Sequence, residues 1–399
     1  MTELEKKLEQ QVREDHAYVV ALRRELHRHP ELGKEEFETQ RLIERELDAI
    51  GVAHHRAAVT GVQAEIKGTG VSDHPRTLLL RADIDALPIQ EETNLPFASE
   101  SAGKMHACGH DAHTAALIGT ARLLQANRDL FGGTVRLVWQ PGEEIGYGGR
   151  EMVDEGCADG ADRTFGLHIS TSVPVGSVVT MAGPNNASVD YFKIRIHGRA
   201  AHVARPHQGV DAAYIASQIV VSAQAIVTRR TNPMENVLIG FGRIQAGTAY
   251  NVVAEEAELE GTIRVFLPEI RAQIKTELEA LAKGIASLYG GSAEIEYKDN
   301  ASPLINDPEA TEEVRKTAVS LFGEDHVITQ RKPDLTGDDM AEYILRVPGS
   351  YAYIGSANAD NPNTSVAQHN SHFEIDEDCM RVAALLTTSY AVRYLRGEV

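Results

Sequence analysis

Acidic or histidine side chains stand just past the end of each of three short apolar runs. In chain order they are Asp83, Asp85, Glu143, Glu144 and His168, which follow the runs 77–81, 134–139 and 163–167. Ligands of an open α/β sheet bind outside the carboxyl ends of its strands. If the three runs are neighbouring strands, we expect these side chains to face one site.

A second cluster, HACGHDAH, lies between the first two runs. Its Cys108 and His110 are two residues apart and can reach one metal ion if the backbone between them is extended and Gly109 relieves crowding. Thiolate, imidazole and carboxylate are ligands of zinc, and they suit manganese, cobalt or nickel to varying degrees. Together with Glu144 and His168, the pair predicts a metal centre, although the spacing matches neither a zinc finger nor the HExxH pattern.

Glu143 and Glu144 are adjacent, so their side chains cannot share one direction. The economical interpretation gives one carboxylate to a metal and the other to proton transfer, and the pattern leaves open which is which. A carboxylate beside an activated water can take its proton and deliver it to a leaving nitrogen. The chain has neither the GxSxG nor the GxxxxGK[ST] pattern, so water is the expected nucleophile.

The elements that must position these groups alternate between strand and helix, which is typical of an α/β architecture. The three apolar runs are predicted strands, and the charged N-terminus is typical of a helix. Other predicted elements are helices over 17–28, 35–50, 113–124 and 308–322, a strand over 350–354, and a closing helix over 376–395 with Asp376 as its N-cap.

The region 186–298 has a different pattern, with apolar and polar residues alternating in four segments around two helical stretches. The order β-α-β-β-α-β predicts a ferredoxin-like domain. We therefore expect a discontinuous catalytic domain over 1–185 and 299–399, built on an open, mostly parallel sheet, with this second domain inserted into it.

Composition limits the classes of function that remain. The 399 residues carry a formal net charge of -19, which disfavours sequence-independent binding to nucleic acid or to an anionic membrane. No apolar run of 18 residues exists, and the N-terminus lacks the apolar stretch of a signal peptide. Three scattered cysteines do not form a disulfide framework, so a reducing, cytoplasmic setting is expected.

Taken together, the motifs resemble the aminoacylase and indole-acetyl-amino-acid hydrolase branch of the di-metal amidohydrolase and carboxypeptidase family. The resemblance extends from about residue 22 to residue 378 and is carried by LHRHPELGKEE, RADIDALPI, MHACGHDAHTA, WQPGEE, GLHI, HGRAAHVARPHQGVDA and HNSHFEIDED. Where the family's peptidase branch has a histidine, this chain has Asp83, which favours the amidohydrolase branch.

The resemblance implies two divalent metal ions, whether zinc, manganese, cobalt or nickel. The implied ligands are Cys108, His110, Glu144, His168 and His369. The nearby His372 competes with His369, but the HNSHF frame matches the family's ligand at its first histidine. Glu143 is implied as general base and acid, and Asp85 as the residue that orients a metal-binding histidine.

The resemblance also assigns the inserted domain as a lid and dimerisation domain, so a homodimer or higher homo-oligomer is expected. His202 resembles the lid histidine that approaches the scissile carbonyl, in related enzymes from the partner subunit. Asn251 and Arg264 match positions implied in holding the substrate, Arg264 less closely.

The implied reaction is hydrolysis of an N-acyl amino acid to a carboxylate and a free amino acid. Two alternatives use the same chemistry, namely a dipeptidase or carboxypeptidase and a deacetylase of a biosynthetic intermediate. A third, from another class, is a non-catalytic binder of amino-acid conjugates.

Overall fold

Two structural units make up the 399 residues that the computed structural model describes. Unit 1 comprises Met1–Gly183, Ile305–Lys332 and Asp339–Val399, and unit 2 comprises Pro184–Leu304 and Pro333–Asp338. The second unit extends beyond the expected limit at residue 298 because its last strand continues to Ala301.

The elements are numbered along the chain. The helices are α1 Glu3–Arg28, α2 Phe37–Ala49, α3 His110–Ala126, α4 Gly148–Asp154, α5 Ala212–Ala225, α6 Pro268–Leu288, α7 Pro308–Phe322, α8 Met340–Ile344 and α9 Asp378–Arg396. The strands are β1 His54–Ala57, β2 Gly61–Lys67, β3 Thr77–Asp83, β4 Thr134–Gln140, β5 Arg163–Pro174, β6 Val178–Val179, β7 Gly183–Asn186, β8 Val189–His197, β9 Val237–Ala246, β10 Glu256–Val265, β11 Ser292–Ala301, β12 Leu304–Asn306, β13 Val327–Ile328 and β14 Gly349–Ala357.

Unit 1 is built on an eight-stranded sheet in the order β1-β2-β4-β3-β5-β14-β6-β13. Its four central strands β4, β3, β5 and β14 are parallel, and β1 and β2 add an antiparallel edge. Every residue of β3 after Thr77 is buried, as expected for a central strand covered on both faces. The predicted mostly parallel α/β sheet is confirmed.

Helix α3 brings the HACGHDAH cluster to this sheet, and it packs against both α1 and α9. It begins at His110, three residues earlier than predicted. An extended backbone was expected between Cys108 and His110. The chain instead turns at Gly109, whose φ of 97° is in the left-handed region. Glycine tolerates that conformation at no steric cost, and Cys108 and His110 therefore stay within reach of one centre.

Two Arg–Asp pairs join α1 to α3. Arg23 Nε donates to Asp111 Oδ2 at 2.8 Å, with both side chains buried. Near the other end of α3, Arg122 forms a two-pronged pair with Asp15 that is partly exposed to solvent. The buried pair fixes the first turn of α3, where His110 lies.

The ends of two elements differ from the sequence-based expectation. Strand β5 continues to Pro174 because β14 pairs alongside it, so His168 lies within the strand rather than past its end. Helix α9 begins at Asp378 instead of 376. Asp376 still serves the first turn, since its carboxylate accepts the Asp378 N–H at 2.9 Å.

Unit 2 has a four-stranded antiparallel sheet in the order β11-β8-β10-β9, with α5 and α6 connecting its strands. Its own apolar core includes Phe192, Ile215, Leu259 and Leu278, all fully buried. The predicted β-α-β-β-α-β order is confirmed. No helix of the chain combines the length and the apolar character needed to cross a bilayer.

Candidate metal centre and active site

The carboxylates of the candidate site lie at or just after the ends of two adjacent parallel strands of unit 1. Asp83 is the last residue of β3, and Asp85 follows two residues later. Strand β4 ends at Gln140 beside Asp83, and the turn that carries Glu143 and Glu144 begins there. Parallel strands end at one edge of the sheet, which explains why residues 60 positions apart meet.

The five predicted metal ligands come together in unit 1. Cys108 Sγ lies 3.4 Å from His168 Nε2, and Glu144 Oε1 lies 4.0 Å from His110 Nε2 and 3.3 Å from His369 Nε2. The ligand atoms form overlapping groups within 4.8 Å, one of which includes Glu143. These groups are Cys108, His110 and His168; Cys108, Glu144 and His369; and His110, Glu143 and Glu144.

Hydrogen bonds fix the ring orientation of the two buried histidines, His110 and His168. His110 Nδ1 donates to the Asp85 carbonyl oxygen at 2.9 Å, and His168 Nδ1 donates to the Ile169 carbonyl oxygen at 2.7 Å. Each ring therefore keeps its Nε2 lone pair for a ligand, as in metal sites where the second nitrogen is held. His110 Nε2 and Glu144 Oε1 are buried without a hydrogen bond, which is costly unless a cation satisfies them.

The charges of the centre also fit divalent cations. Burial disfavours the anion of Glu144, yet His369 and His110 lower the pKa of its carboxyl. Burial likewise disfavours the imidazolium of His110, but the negative charge of Asp83 raises its pKa well above the ordinary value. Burial raises the pKa of the Cys108 thiol, with Glu144 adding to the effect. An anionic, buried centre of this kind favours cations, and a metal ion can replace the protons.

Asp85 holds two parts of the site at once. Its Oδ1 lies 3.2 Å from His110 Nδ1, and its Oδ2 accepts the Glu144 N–H at 2.9 Å. The expected role of orienting a ligand histidine is compatible with this contact. The second bond extends that role to the turn that carries Glu143 and Glu144.

One functional group was missed in the sequence. His113 Nδ1 donates to Asp83 Oδ1 at 2.6 Å, and His113 Nε2 accepts the Ile169 N–H at 2.9 Å. Arg81 donates to the other Asp83 oxygen at 2.7 Å. Both His113 nitrogens are thus engaged, which makes it a brace for β5 next to His168 rather than a ligand. The sequence did offer a signal, because His113 is three residues from His110 on one helix and must therefore lie beside it.

His369 reaches the centre from a loop. Its backbone φ of 61° is left-handed, and its N–H donates to the Ala107 carbonyl oxygen at 2.8 Å. A non-glycine residue in this region costs about 1 kcal/mol or more and marks functional sites. By contrast, the competing His372 is exposed and lies 3.7 Å from Glu92.

Comparison with known proteins identifies the family. The model of peptidase family M20/M25/M40 matches residues 79–391. The chain belongs to this family. It is 40% identical to an N-acetyl-L-cysteine deacetylase of Bacillus subtilis over 94% of its length and 88% of the relative. It is 35% identical to thermostable carboxypeptidase 1 of Saccharolobus solfataricus (98% and 99% covered) and 34% identical to IAA-amino acid hydrolase ILR1-like 4 of Arabidopsis thaliana (95% and 86%).

A solved structure supports the same family assignment. The YXEP protein of Bacillus subtilis, described as a dinuclear metal binding peptidase from M20 family, matches with a TM-score of 0.84 and 35% identity. The match covers 96% of this chain and 99% of that one. The chain is therefore a hydrolase of the M20 family, in its amidohydrolase and aminoacylase branch, which removes the non-catalytic binder from the alternatives.

The three substrate-binding candidates of this M20 hydrolase lie in unit 2, and the unit brings only two of them together. The exposed His202 and Asn251 occupy neighbouring loops, joined by a hydrogen bond from the Val203 N–H to the Asn251 carbonyl oxygen at 3.1 Å. Arg264 lies near the far end of β10, where its Nε donates to Thr262 Oγ1 at 3.2 Å. The eight residue-to-residue steps from Glu256, at the start of β10, to Arg264 span about 26 Å at ~3.3 Å each.

Proposed function

We propose that the chain hydrolyses the amide bond of N-acyl amino acids with two divalent metal ions per subunit. The proposed ligands are Cys108, His110, Glu144, His168 and His369. The convergence of these groups around His110 Nε2 and Glu144 Oε1, which are buried and lack a hydrogen bond, carries the proposal. The family and two relatives, an N-acetyl-L-cysteine deacetylase and an IAA-amino acid hydrolase, support the substrate class.

In this mechanism Glu143 moves the proton. When bound, two divalent ions supply a water of lowered pKa and a polarised amide carbonyl. Glu143 lies in one ligand-atom group with His110 and Glu144, so its carboxylate could take a proton from a water held at that group. It takes the proton as the water attacks, and it then protonates the departing nitrogen. Asp85 keeps the turn in place through the Glu144 N–H.

The donor set limits which ions are plausible. A thiolate with imidazoles suits zinc, cobalt and nickel, while the carboxylates also accept manganese. We propose one of these four. Binding would deprotonate the Cys108 thiol, whose burial among acidic groups otherwise holds the proton on sulfur.

We further propose that unit 2 completes the site as a lid within a homodimer. His202 would stabilise the oxyanion, while Asn251 and Arg264 would hold the substrate. The separation of Arg264 from the other two supports a contribution from two copies, since one copy of the unit cannot offer all three to one small molecule. The edge strand β9, with Ile244 exposed, and the exposed Val221 of α5 offer a surface for pairing.

A reducing, cytoplasmic setting remains part of the proposal. Cys108, Cys157 and Cys379 are all buried free thiols, and such thiols persist in reducing compartments. The small anionic substrate and the net charge of -19 are compatible with neither a nucleic acid nor an anionic membrane as partner.

The decisive experiment separates the adjacent glutamates. Glu143→Gln should lower kcat by at least about 10²-fold while leaving the metal content unchanged, because it removes only the proton carrier. Glu144→Gln should instead lower the bound metal per chain. Glu155→Gln, in the same segment but bonded to the Ala58 N–H, is the matched control and should change neither. The substrates are acetyl, benzoyl and indole-acetyl amino acids, with amine release measured.

Two results would overturn the proposal in different ways. No amine release from any acyl amino acid by the metal-loaded protein would remove the substrate class. Full turnover by Glu143→Gln would remove the role of that residue. Peptide hydrolysis is the second candidate, favoured by the carboxypeptidase relative. Faster cleavage of dipeptides than of N-acetyl amino acids would establish it.

A further inference from the structure

A buried glutamate outside the metal centre contacts the turn that carries Glu143. Glu36, just before α2, is fully buried. Its Oε1 accepts the Gly142 N–H at 2.8 Å, and its Oε2 accepts the Thr60 hydroxyl at 2.6 Å. It contacts none of the proposed metal ligands through these bonds. One of the two hydrogen bonds that satisfy this buried carboxylate therefore comes from the turn that carries Glu143.

The loop before Glu36 packs tightly against the same turn. A Cβ on Gly33 would lie 3.1 Å from Gly142 Cα and 3.3 Å from Asp85 Oδ2, so a side chain there would force one of the two chain segments to shift. The loop is anchored next to Asp85, because the Ala86 N–H donates to the Glu31 carbonyl oxygen at 2.8 Å. Gly142 itself has a φ of 63°, a left-handed conformation that glycine adopts without steric cost.

Two carboxylates therefore hold the turn on either side of Glu143. Glu36 accepts the N–H of the preceding residue, Gly142, and Asp85 accepts the N–H of the following residue, Glu144. We propose that Glu36 is a positioning residue for Glu143, acting through the Gly142 N–H. The inference rests on the proposed role of Glu143 and adds a residue that lies before the family-matched range 79–391.

The hydrogen bond, rather than the negative charge, is what the turn uses. Burial raises the pKa of the Glu36 carboxyl to about 7, and the nearby Asp85 adds to the effect. The carboxyl thus changes its charge near neutral pH, whereas one oxygen can accept the Gly142 N–H in either form. A glutamine at this position keeps that oxygen and can donate its NH₂ group to Thr60.

The test compares four variants of the metal-loaded enzyme. Glu36→Ala should lower kcat about 10- to 100-fold, with KM and metal content changed less than twofold, because a small displacement of a proton carrier is costly. Glu36→Gln should restore kcat to within about threefold of the parent enzyme. Thr60→Val is the matched control, since it removes the other bond of Glu36 and leaves the Gly142 bond, and it should also stay within about threefold.

Gly33→Ala guards against the failure of Glu36→Ala to fold. Its new methyl group would lie 3.1 Å from Gly142 Cα, closer than an ordinary contact, so kcat should fall while both Glu36 bonds remain possible. Full kcat in Glu36→Ala would overturn the inference. So would an equal loss in Glu36→Ala and Thr60→Val, or no rescue by Glu36→Gln, because the Gly142 bond would then not be the cause.

Hydrogen exchange separates this inference from the proposed function. In Glu36→Ala, the amide of Gly142 should exchange at least about tenfold faster than in Thr60→Val, a readout that needs no turnover. If the parent enzyme hydrolyses no acyl amino acid, the proposed function fails while the exchange result still tests the bond. If the enzyme is active and the Gly142 amide is equally protected in both variants, only the role of Glu36 fails.

Discussion

Replacing Arg23 by methionine measures what the buried ion pair between α1 and α3 contributes to unit 1. Methionine keeps the aliphatic stem and removes the guanidinium. Asp111 would then remain fully buried, with His27 Nδ1 at 2.7 Å as its remaining charged partner. In the native chain, burial opposes ionisation of Asp111, but Arg23 and His27 hold its pKa far below the ordinary value.

The magnitude follows from this burial. Breaking a buried pair by removing one partner costs about 3–5 kcal/mol. Although burial and Arg23 lower the pKa of His27, its bonds to Asp111 and Glu91 raise it overall, so a proton on His27 offsets part of the loss. We therefore expect Arg23→Met to lower the free energy of unfolding by about 3 kcal/mol. Arg122→Met breaks the same kind of pair between the same helices, but at sites 20–30% exposed, and should cost at most about 1 kcal/mol.

The offset from His27 also sets a pH dependence. A histidine with a raised folded-state pKa contributes stability that is full below its unfolded pKa of about 6.5 and is lost as pH rises toward the folded value. The loss in Arg23→Met should accordingly be larger at pH 8 than at pH 6. Arg122→Met has no such histidine in its pair and should show the same loss at both.

Trp139 provides the assay. It is the single tryptophan, fully buried in β4, so its fluorescence follows the unfolding of unit 1 in urea. Chelator-treated protein should be used for every variant, so that a change in metal affinity does not enter the comparison. If the two variants lost stability within about 1 kcal/mol of each other, the account based on burial would be refuted.

Further predictions concern the acid before α2 and the metal ions. Burial raises the pKa of Glu36 to about 7, so the folded chain keeps a proton on this carboxyl that the unfolded chain releases above about pH 4.3. The free energy of unfolding therefore falls as the pH rises from about 4.3 to about 7. Glu36→Gln should gain about 3 kcal/mol relative to the parent chain between pH 4.5 and 8 in Trp139 unfolding curves, and parallel curves would contradict this. Chelation should abolish amine release, with zinc, manganese, cobalt or nickel restoring it; activity that survives complete metal removal would exclude a metal mechanism. Cys108→Ser should lower the bound metal per chain by elemental analysis, and an unchanged stoichiometry would remove Cys108 as a ligand.

The sequence predicted the elements best where burial has a regular period. The alternating residues of β8 and β10 identified the half-buried sheet of unit 2, and the apolar run of β3 identified a central strand. Boundaries failed where pairing partners were distant in the chain. The extension of β5 past His168 depends on β14, which lies about 180 residues later and is invisible to a local pattern.

The candidate site shows the same limit. Cys108, His110, Glu144 and His168 could be found because each lies at a predicted strand end or helix start. His369 could not, because it is a loop residue whose position depends on a left-handed backbone and on one bond to Ala107. Only the resemblance to a family pointed to it.

The split of unit 1 has a consequence for the order in which the chain can acquire metal. Four of the five proposed ligands precede unit 2 in the sequence, whereas His369 follows it, as do strand β14 and helix α9. A ribosome has thus made about nine-tenths of the protein before the last ligand appears. Strand β14, the neighbour of β5, is made shortly before His369, and helix α9, which packs on α3, is made after it. The complete set of five proposed ligands is therefore available only to a nearly finished chain.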